Sequence, residues 1–578
     1  MRILFFLIAL MPSIALAQIR DDVRPDAGRI LKQESDIDRF NKETPKKIPK
    51  SLIEEKEKKS PIQPTNVKIL VNSFKFEGDV KAFSISQLQS LLSDLNNRSL
   101  TFEEMQLAAD RITNFYNEKG FFLAQAIIPK QEIKDGIIII LINEGKLDSK
   151  DPYKINKKDL RISEDKIKAY MNESLKENLL KDSVERGLLN ISDNPGVYAK
   201  VNLEPGSEQG STRIVLDVSE ESLITGSVVL DNYGNRYTGD LRASASININ
   251  DPNKIGDYIN VLGTKAIEGD LELKKITYNF PLGVSGLRAE SSYSLVDFKV
   301  GKELTSTKTE GKAEDINFNL KYPIYRSVEK SILTNFNYDK KYLYNEAANI
   351  VTSDKAVDNY NIGVTFQQKD QIFRGGFTQA NFNFTRGDLN LSNSSSNLSS
   401  DQSAAGYKTH GTFKKENLQL TRIQSVTDKL NIHLNADAQF ASKNLDSSEK
   451  MSLGGPSGVR AYPTGEASGD EGFKYSVDIK YNFGDNIFLE NFLGSIFYDY
   501  GKIKQYKDSS ISTSTVTNNQ YSISGYGLSL DANLSIFSTK LIWAHTIGGN
   551  PGASSPLGND SDGKNDSSRF FLLISSKF

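Results

Sequence analysis

Three histidines and no cysteine narrow the chemistry open to this 578-residue chain. His410, His433 and His545 lie far apart and at no metal-ligand spacing, so each reads as a strand or loop residue rather than part of a metal site or a Ser/His/Asp relay. No G-x-x-x-x-G-K-[ST] run offers a cradle for nucleotide phosphates. The expectation is a protein that is not an enzyme and carries no cofactor and no metal. What remains is ionic. Gly455-Pro456-Ser457-Gly458-Val459-Arg460-Ala461-Tyr462-Pro463 is a Gly-rich loop with one Arg, set between two alternating strands. Such an Arg either waves in solvent or folds inward onto a carboxylate, for which its planar fork is a bidentate match that Lys is not.

The elements that must position that loop begin with a secretory signal over 1–17: Arg2, an apolar core from Ile3 to Ile14, and the cleavage site Ala15-Leu16-Ala17. Residues 18–40 hold a short helix that Asp26 can cap, with Ile30, Leu31, Ile37 and Phe40 on a partly apolar face. Residues 41–66, with Pro45, Pro49, Pro61 and Pro64 among Lys and Glu, read as a flexible linker. Two small units of order β-α-α-β-β follow, 67–148 and 149–221. In the first, Thr101 and Glu104 form a capping box; in the second, Ser163 opens one helix and Asp182 with Glu185 caps the next. An open strand edge on such units can take up an extended peptide by strand addition. A net charge of −2 gives no reason to expect nucleic acid.

From Leu223 the helical period ends and no helix is expected. Segments of about ten residues alternate instead. Phe473, Tyr475, Val477, Ile479, Tyr481 and Phe483 fall on one face of a strand, and Lys474, Ser476, Asp478, Lys480 and Asn482 on the other. Sixteen such segments fit between 223 and 578, among them 313–322, 358–368, 429–442, 472–484 and 491–503. Long polar loops mostly alternate with tight turns. That is the pattern of an outer-membrane barrel, and the mean hydropathy of −0.43 is no objection to it, since barrel strands look polar in a hydropathy window. The Arg then lies on the loop 443–471, between the eleventh and twelfth strands. On the thirteenth, Phe492, Ile496, Tyr498 and Tyr500 face lipid, whereas Phe497, Asp499 and Gly501 face the lumen. Asp499 is the expected partner of Arg460, and Asp478, one strand earlier, a candidate neighbour.

In order along the chain, several short motifs resemble the transporter of the two-partner secretion pathway, the hemolysin-activator type. They are Phe115-Tyr116-x-x-x-Gly120-Phe121, Pro129-x-Gln131-x-Ile133-x-x-Gly136, Asn143-Glu144-Gly145, Asn194-Pro195-Gly196, Leu203-x-Pro205-Gly206-x-x-x-Gly210 and the run from Asp231 to Gly239. The resemblance implies a plug helix, two periplasmic POTRA domains, a 16-stranded barrel and a surface-side loop folded into the lumen. It also implies a loop motif, here Val459-Arg460-Ala461-Tyr462 with Ala where Gly is commoner, and a wall motif, here Phe497-Tyr498-Asp499-Tyr500-Gly501. The function implied is export of an unfolded exoprotein with an N-terminal secretion domain, without ATP. Outer-membrane lipids and the barrel-assembly machinery are further implied partners. A barrel-assembly insertase of the same superfamily is the alternative. A passive porin or adhesin is disfavoured, since a porin has no need of two periplasmic units.

Overall fold

A chain with no apolar helix crosses a bilayer only by closing its strands into a barrel, where every backbone polar group is paired. The computed structural model describes residues 25–42, 53–54, 67–156, 159–176, 179–208, 210–484, 490–510, 518–553 and 559–578. In it sixteen antiparallel strands close on themselves. They are β1 (Ile224–Asp231), β2 (Arg242–Asn250), β3 (Tyr258–Ala266), β4 (Asp270–Pro281), β5 (Arg288–Lys299), β6 (Thr309–Arg326), β7 (Lys330–Ala347) and β8 (Ile350–Asp370). The second half comprises β9 (Gly376–Asn390), β10 (Gly411–Ser425), β11 (Leu430–Ala441), β12 (Glu471–Gly484), β13 (Glu490–Lys504), β14 (Gln520–Leu534), β15 (Phe537–Thr546) and β16 (Ser568–Lys577). The seam between β1 and β16 is zipped from Ser227↔Lys577 to Asp231↔Leu573. Alternation sorts the side chains as a membrane barrel requires: on β12 Phe473, Ile479, Tyr481 and Phe483 point outward and Asp478 is buried.

Ahead of the barrel lie helix α1 (Ala27–Lys42) and two α+β units. In the first unit α2 (Ile85–Leu91) and α3 (Phe102–Glu118) cover a sheet of strands 73–78, 137–143 and 125–127. Thr101 and Glu104 bond each other's backbone N–H, which holds the start of α3. Gln131 acts as a false strand residue, accepting from the N–H of Ile139 at 2.8 Å and donating to its carbonyl at 2.9 Å. In the second unit α4 (Glu164–Leu175) and α5 (Lys181–Ser192) lie on strands 197–205 and 211–220. Ser163 caps α4.

Five expectations change. Helix α1 runs to Lys42, two residues beyond the expected end at Phe40. Ile53–Glu54, inside the expected linker, form a strand parallel to Val201 and Asn202, because an open sheet edge pairs with whatever extended segment lies along it. The remaining described linker residues, Asn41 and Lys42, close α1; the rest of 41–66 and the signal segment lie outside the described residues. Lys146–Leu147 pair with Ser211 and Thr212, so the first unit's expected boundary at 148 overruns into the second sheet. Asp182 and Glu185 make no capping box: α5 starts at Lys181 behind Leu180, which offers no side-chain cap. Their carboxylates turn to the barrel instead. Lastly, the barrel region does contain a helix, α6 (Ser395–Gln402), in the loop after β9. Its cap is Ser394, one of the residues that favour helix starts once a polar loop is long enough to turn.

The second unit is locked to the periplasmic rim. Glu185 accepts from the Val328 N–H at 2.7 Å, Asp182 from the Tyr325 hydroxyl, and Asp193 from Arg326 at 2.6 Å. Arg288 at the start of β5 donates to Asn194 at 3.1 Å and to the Gly256 carbonyl at 2.8 Å. Asn194 of the Asn-Pro-Gly motif thus serves the joint, while its amide also closes α5 by donating to Ile191 at 2.8 Å.

Candidate functional site

The lumen holds two things, the loop between β11 and β12 and helix α1. The loop turns at Gly455, whose φ of +105° suits glycine, and at Gly458, where a Cβ would lie 1.9 Å from the Leu453 carbonyl oxygen. That turn is fixed by the Val459 N–H donating to Leu453 at 2.7 Å and the Tyr462 N–H donating to Val459 at 3.1 Å. It aims Arg460 at the wall.

Arg460 meets both carboxylates. Its Nε donates to Asp499 Oδ2 at 2.9 Å and its Nη2 to Oδ1 at 2.7 Å, while its own backbone N–H donates to Oδ2 at 2.9 Å. Asp478 receives Nη1 at 2.9 Å and Nη2 at 3.2 Å. The guanidinium carbon stands 3.4 Å from the centre of the Phe497 ring, a cation–π contact. Asp499 is 0% exposed and Arg460 7%. The wall makes room with glycine. A Cβ on Gly501 would touch Leu453 at 3.0 Å, and one on Gly525 would meet the Ala461 Cβ at 2.5 Å. The methyl of Ala461 therefore fills space that β14 leaves open, and the Ala-for-Gly change in the motif is accommodated there. Val459 and Tyr462 are buried beside it. Past the motif, Glu466 accepts from the Ser561 N–H at 2.6 Å and from Asn550 at 3.0 Å. Burial, and after it the nearby Asp560, push the Glu466 carboxyl up to about 6.

A second anchor holds the loop's stem with the opposite polarity. Glu449 accepts from Lys341 and Lys415, both at 2.6 Å, and from Asn359 at 3.0 Å; Asp446 accepts from Lys355 at 2.5 Å. These lysines sit on β7, β8 and β10, so the loop spans the lumen from a basic wall to an acidic one. Sequence reasoning missed this anchor. The one legible signal was the inward register of Lys341, Lys355 and Lys415 on their strands.

Helix α1 lies between the loop and the wall. Asp26 accepts from the Arg29 N–H at 3.1 Å and from Ser447 of the loop stem at 2.6 Å. The Ala27 N–H donates to Asn345 on β7 at 2.7 Å. Midway, Glu34 takes Arg242 Nη1 on both oxygens, at 2.8 and 2.6 Å, while Arg242 reaches Asp231 Oδ1 through Nε at 2.9 Å and Nη2 at 2.8 Å. Ala27, Ile30 and Leu31 enter an apolar cluster with Leu271, Val296, Phe298, Leu343 and Phe413. Ile37 and Phe40 belong to the cluster around Tyr462 and Phe497, and the Phe40 ring meets Tyr233 edge-on at 6.2 Å. The Asp231–Gly239 run thus supplies the counter-ion that holds Arg242 ready for the helix.

Among the described residues no group of three or more His, Asp or Glu has metal-holding geometry. The site's chemistry is mechanical: buried ion pairs hold a helix and a loop inside a closed wall.

Known proteins place this architecture. The family model described as haemolysin secretion/activation protein ShlB/FhaC/HecB matches residues 210–531, and that of the ShlB-type POTRA domain matches 69–145. The heme/hemopexin transporter protein HuxB of Haemophilus influenzae is 26% identical over 451 residues, covering 77% of this chain and 78% of the relative. The outer membrane transporter CdiB of Escherichia coli is 23% identical over 398 residues, covering 67% and 65%. The solved CdiB from Escherichia coli shares the fold with a TM-score of 0.73 at 17% identity, over 96% of this chain and 99% of that one. BamA from Haemophilus ducreyi lacking POTRA domains 1–3 reaches 0.50 at 12%, over 88% and 100%. The chain belongs to the haemolysin secretion/activation protein family, the outer-membrane transporters of two-partner secretion, with its POTRA domains in the periplasm.

Proposed function

We propose that the two α+β units capture an extended segment of an exoprotein bearing an N-terminal secretion domain, that α1 leaves the lumen, and that the exoprotein passes outward through the barrel. The observation that carries this reading is α1 itself. It occupies a closed barrel and is held by a bidentate ion pair between Glu34 and Arg242, a longer one between Asp38 and Lys275 at 3.5 Å, bonds at its first turn with Ser447 and Asn345, and a short apolar face. At about 1.5–3 kcal/mol for each fully buried aliphatic side chain, such a seat is reversible. Arg460 acts as the latch of the in-folded loop, Asp499 and Asp478 as its catch, and Val459, Ala461, Tyr462, Phe497 and Gly501 shape the contact. Folding of the exoprotein outside drives the passage, in keeping with a sequence that has no nucleotide cradle. Lipids of the outer membrane surround the outward faces, and the barrel-assembly machinery inserts the chain.

The test is removal of 18–40. Single-channel conductance in planar bilayers should rise severalfold, since the lumen loses a helix of about 10 Å diameter with side chains, and secretion of the exoprotein should persist. Unchanged conductance would show that α1 is not the plug.

A further inference from the structure

The barrel's outer wall carries a feature that secretion does not use. On β9 and β10 Arg386 and Lys414 are cross-strand partners, with Tyr360 of β8 opposite Arg386. All three point outward, on the face that also presents Phe382, Leu418 and Leu420. Like charges directly opposite each other destabilise a sheet. Neither cation forms an ion pair with a described residue. The carboxylates one rung to either side leave them unmatched: Asp388 accepts from Thr412 at 3.0 Å, and Glu416 stands opposite Phe384. Elsewhere on the same outer rim several cations are paired, Lys274 with Glu272 at 3.1 Å, Lys299 with Glu310 at 2.8 Å, Lys312 with Glu314 at 3.0 Å and Lys340 with Asp358 at 3.5 Å.

The level of this pair is fixed by the strand. From Lys414 to Arg422, the next outward charge but one on β10, is eight residues, about 26 Å along the strand at roughly 3.3 Å each. A tilt of roughly 40° reduces that to about 20 Å of membrane depth, close to the apolar band of a barrel. Arg422 is neutralised by Asp370 at the periplasmic edge. Lys414 and Arg386 therefore stand at the outer-leaflet edge, where the membrane's phosphates lie.

Below them the wall is hollow. Two to three rungs toward the periplasm alanines replace larger outward side chains, Ala438 beside Leu418 and then Ala380 and Ala436 beside Leu420, and a groove of about 470 Å³ opens. Ala380, Ala436 and Ala438 line its floor, and Phe382, Phe473 and Tyr475 stand around it. The rungs run continuously: Arg386↔Lys414, then Phe384↔Glu416, then Phe382↔Leu418 and Leu418↔Ala438. A cation pair at headgroup height above an apolar groove at acyl-chain depth has the shape and charge of one lipid.

We propose that the outer face of β8–β12 is a binding site for a phosphorylated, multiply acylated glycolipid of the outer leaflet. Arg386 and Lys414 hold a phosphate, Tyr360 lies beside the sugar, and one acyl chain fills the alanine groove. A phosphate between the two guanidinium and ammonium groups removes the repulsion that the bare sheet would carry.

The test uses the full chain purified in mild detergent, with lipid A in one arm and phosphatidylglycerol in another, and retained lipid counted by native mass spectrometry. Lipid A should be retained by the wild type, and its affinity should fall at least tenfold in Arg386→Gln/Lys414→Gln. The pair Ala436→Leu/Ala438→Leu fills the groove without touching charge and should produce a comparable loss. Lys312→Gln, which alters a paired cation of the same rim, should retain lipid A as the wild type does. Heat-modifiable migration reports that each variant barrel is closed. Undiminished retention in the cation variant, equal retention of phosphatidylglycerol by the wild type, or equal loss in Lys312→Gln would overturn the assignment.

Discussion

Replacing Arg460 with Ala should unfasten the in-folded loop by an amount that can be worked out. The side chain makes four hydrogen bonds of 2.7–3.2 Å to Asp478 and Asp499. Without it two carboxylates, 5% and 0% exposed, face each other with no matched cation. Removing one partner of a buried ion pair costs about 3–5 kcal/mol, chiefly because of the charge left behind. At about 1.4 kcal/mol per decade, 4 kcal/mol moves the loop's docking equilibrium by roughly a thousandfold. The orphan-charge origin of that figure has its own signature. Arg460→Leu combined with Asp478→Asn and Asp499→Asn leaves no buried charge to strand, so the triple variant should be more robust than the single one. Both are read by the temperature at which the barrel loses its heat-modifiable migration and by protease access to the loop. Secretion of the exoprotein is measured alongside: it should fail in Arg460→Ala while the barrel still reaches the membrane, and it should still fail in the triple variant if the pair works as a latch. A triple variant as labile as the single one would refute the reasoning, because stranded charge could not then be the cost.

Three further perturbations follow from other contacts. Glu466 has a folded pKa of about 6, above the unfolded carboxylate value near 4.3, so the stability it lends is present below the lower value and is lost as pH rises through the upper one, a change on the order of 2 kcal/mol; the 550–553 segment should be more open to protease at pH 7.5 than at pH 5, and Glu466→Gln should abolish the difference. Glu185→Ala together with Arg326→Ala removes two charge-assisted bonds of the periplasmic joint, each of which contributes about 1.5–3 kcal/mol; spin labels on α4 and on the turn after β4 should show a broadened distance distribution, and an unchanged one would mean that the remaining bonds, those of Arg288 and of Tyr325 with Asp182, suffice to fix the joint. A Cβ on Gly28 would lie 2.7 Å from Ser447 Oγ, so Gly28→Leu should push α1 off the loop stem and raise conductance with every ion pair of Arg242 still available; wild-type conductance would show that the stem is not part of the helix's seat.

The membrane itself made the barrel legible. Where a strand passes through lipid, every second residue must be apolar, and β12, expected at 472–484, is found at Glu471–Gly484. Where a strand leaves the lipid the constraint lapses. β8, expected at 358–368, extends back to Ile350, and β6, expected at 313–322, spans Thr309–Arg326. Those extra residues are held by ladder bonds, which any side chain permits, and by side-chain bonds to other parts of the fold, such as Arg326 to Asp193 and Lys355 to Asp446, that no periodicity announces. The same logic divides the lumen. Asp499 was readable as the partner of Arg460 because alternation fixes which way a wall residue points. Glu34 and Arg242 were not, since nothing periodic links residues 208 apart, and a charge on a helix inside a pore looks the same in sequence as a charge in solvent. Asp182 and Glu185 misled for a related reason: the spacing of a capping box is also the spacing of two carboxylates one helical turn apart, free to bond whatever docks against them.

The arrangement of these charges gives the pore its character. Three separate seats hold the lumen's contents: Arg460 on an acidic wall, Glu449 and Asp446 on a basic one, and Glu34 on Arg242. The basic wall and the Arg242 seat each keep a local reserve of opposite charge. Asp231 stays beside Arg242, Asp339 stays 3.4 Å from Lys341, and Lys540 is 3.9 Å from Asp531, close to the Phe40 ring. When α1 departs, Arg242 is therefore not stranded as the Arg460 carboxylates would be without their guanidinium. The cost of emptying the helix seat is correspondingly lower than the cost of emptying the loop seat, since a buried charge that keeps a partner avoids most of the desolvation penalty. On the proposed reading the helix is the part that leaves at the lower ionic cost, and the loop stays docked until something with its own favourable contacts displaces it.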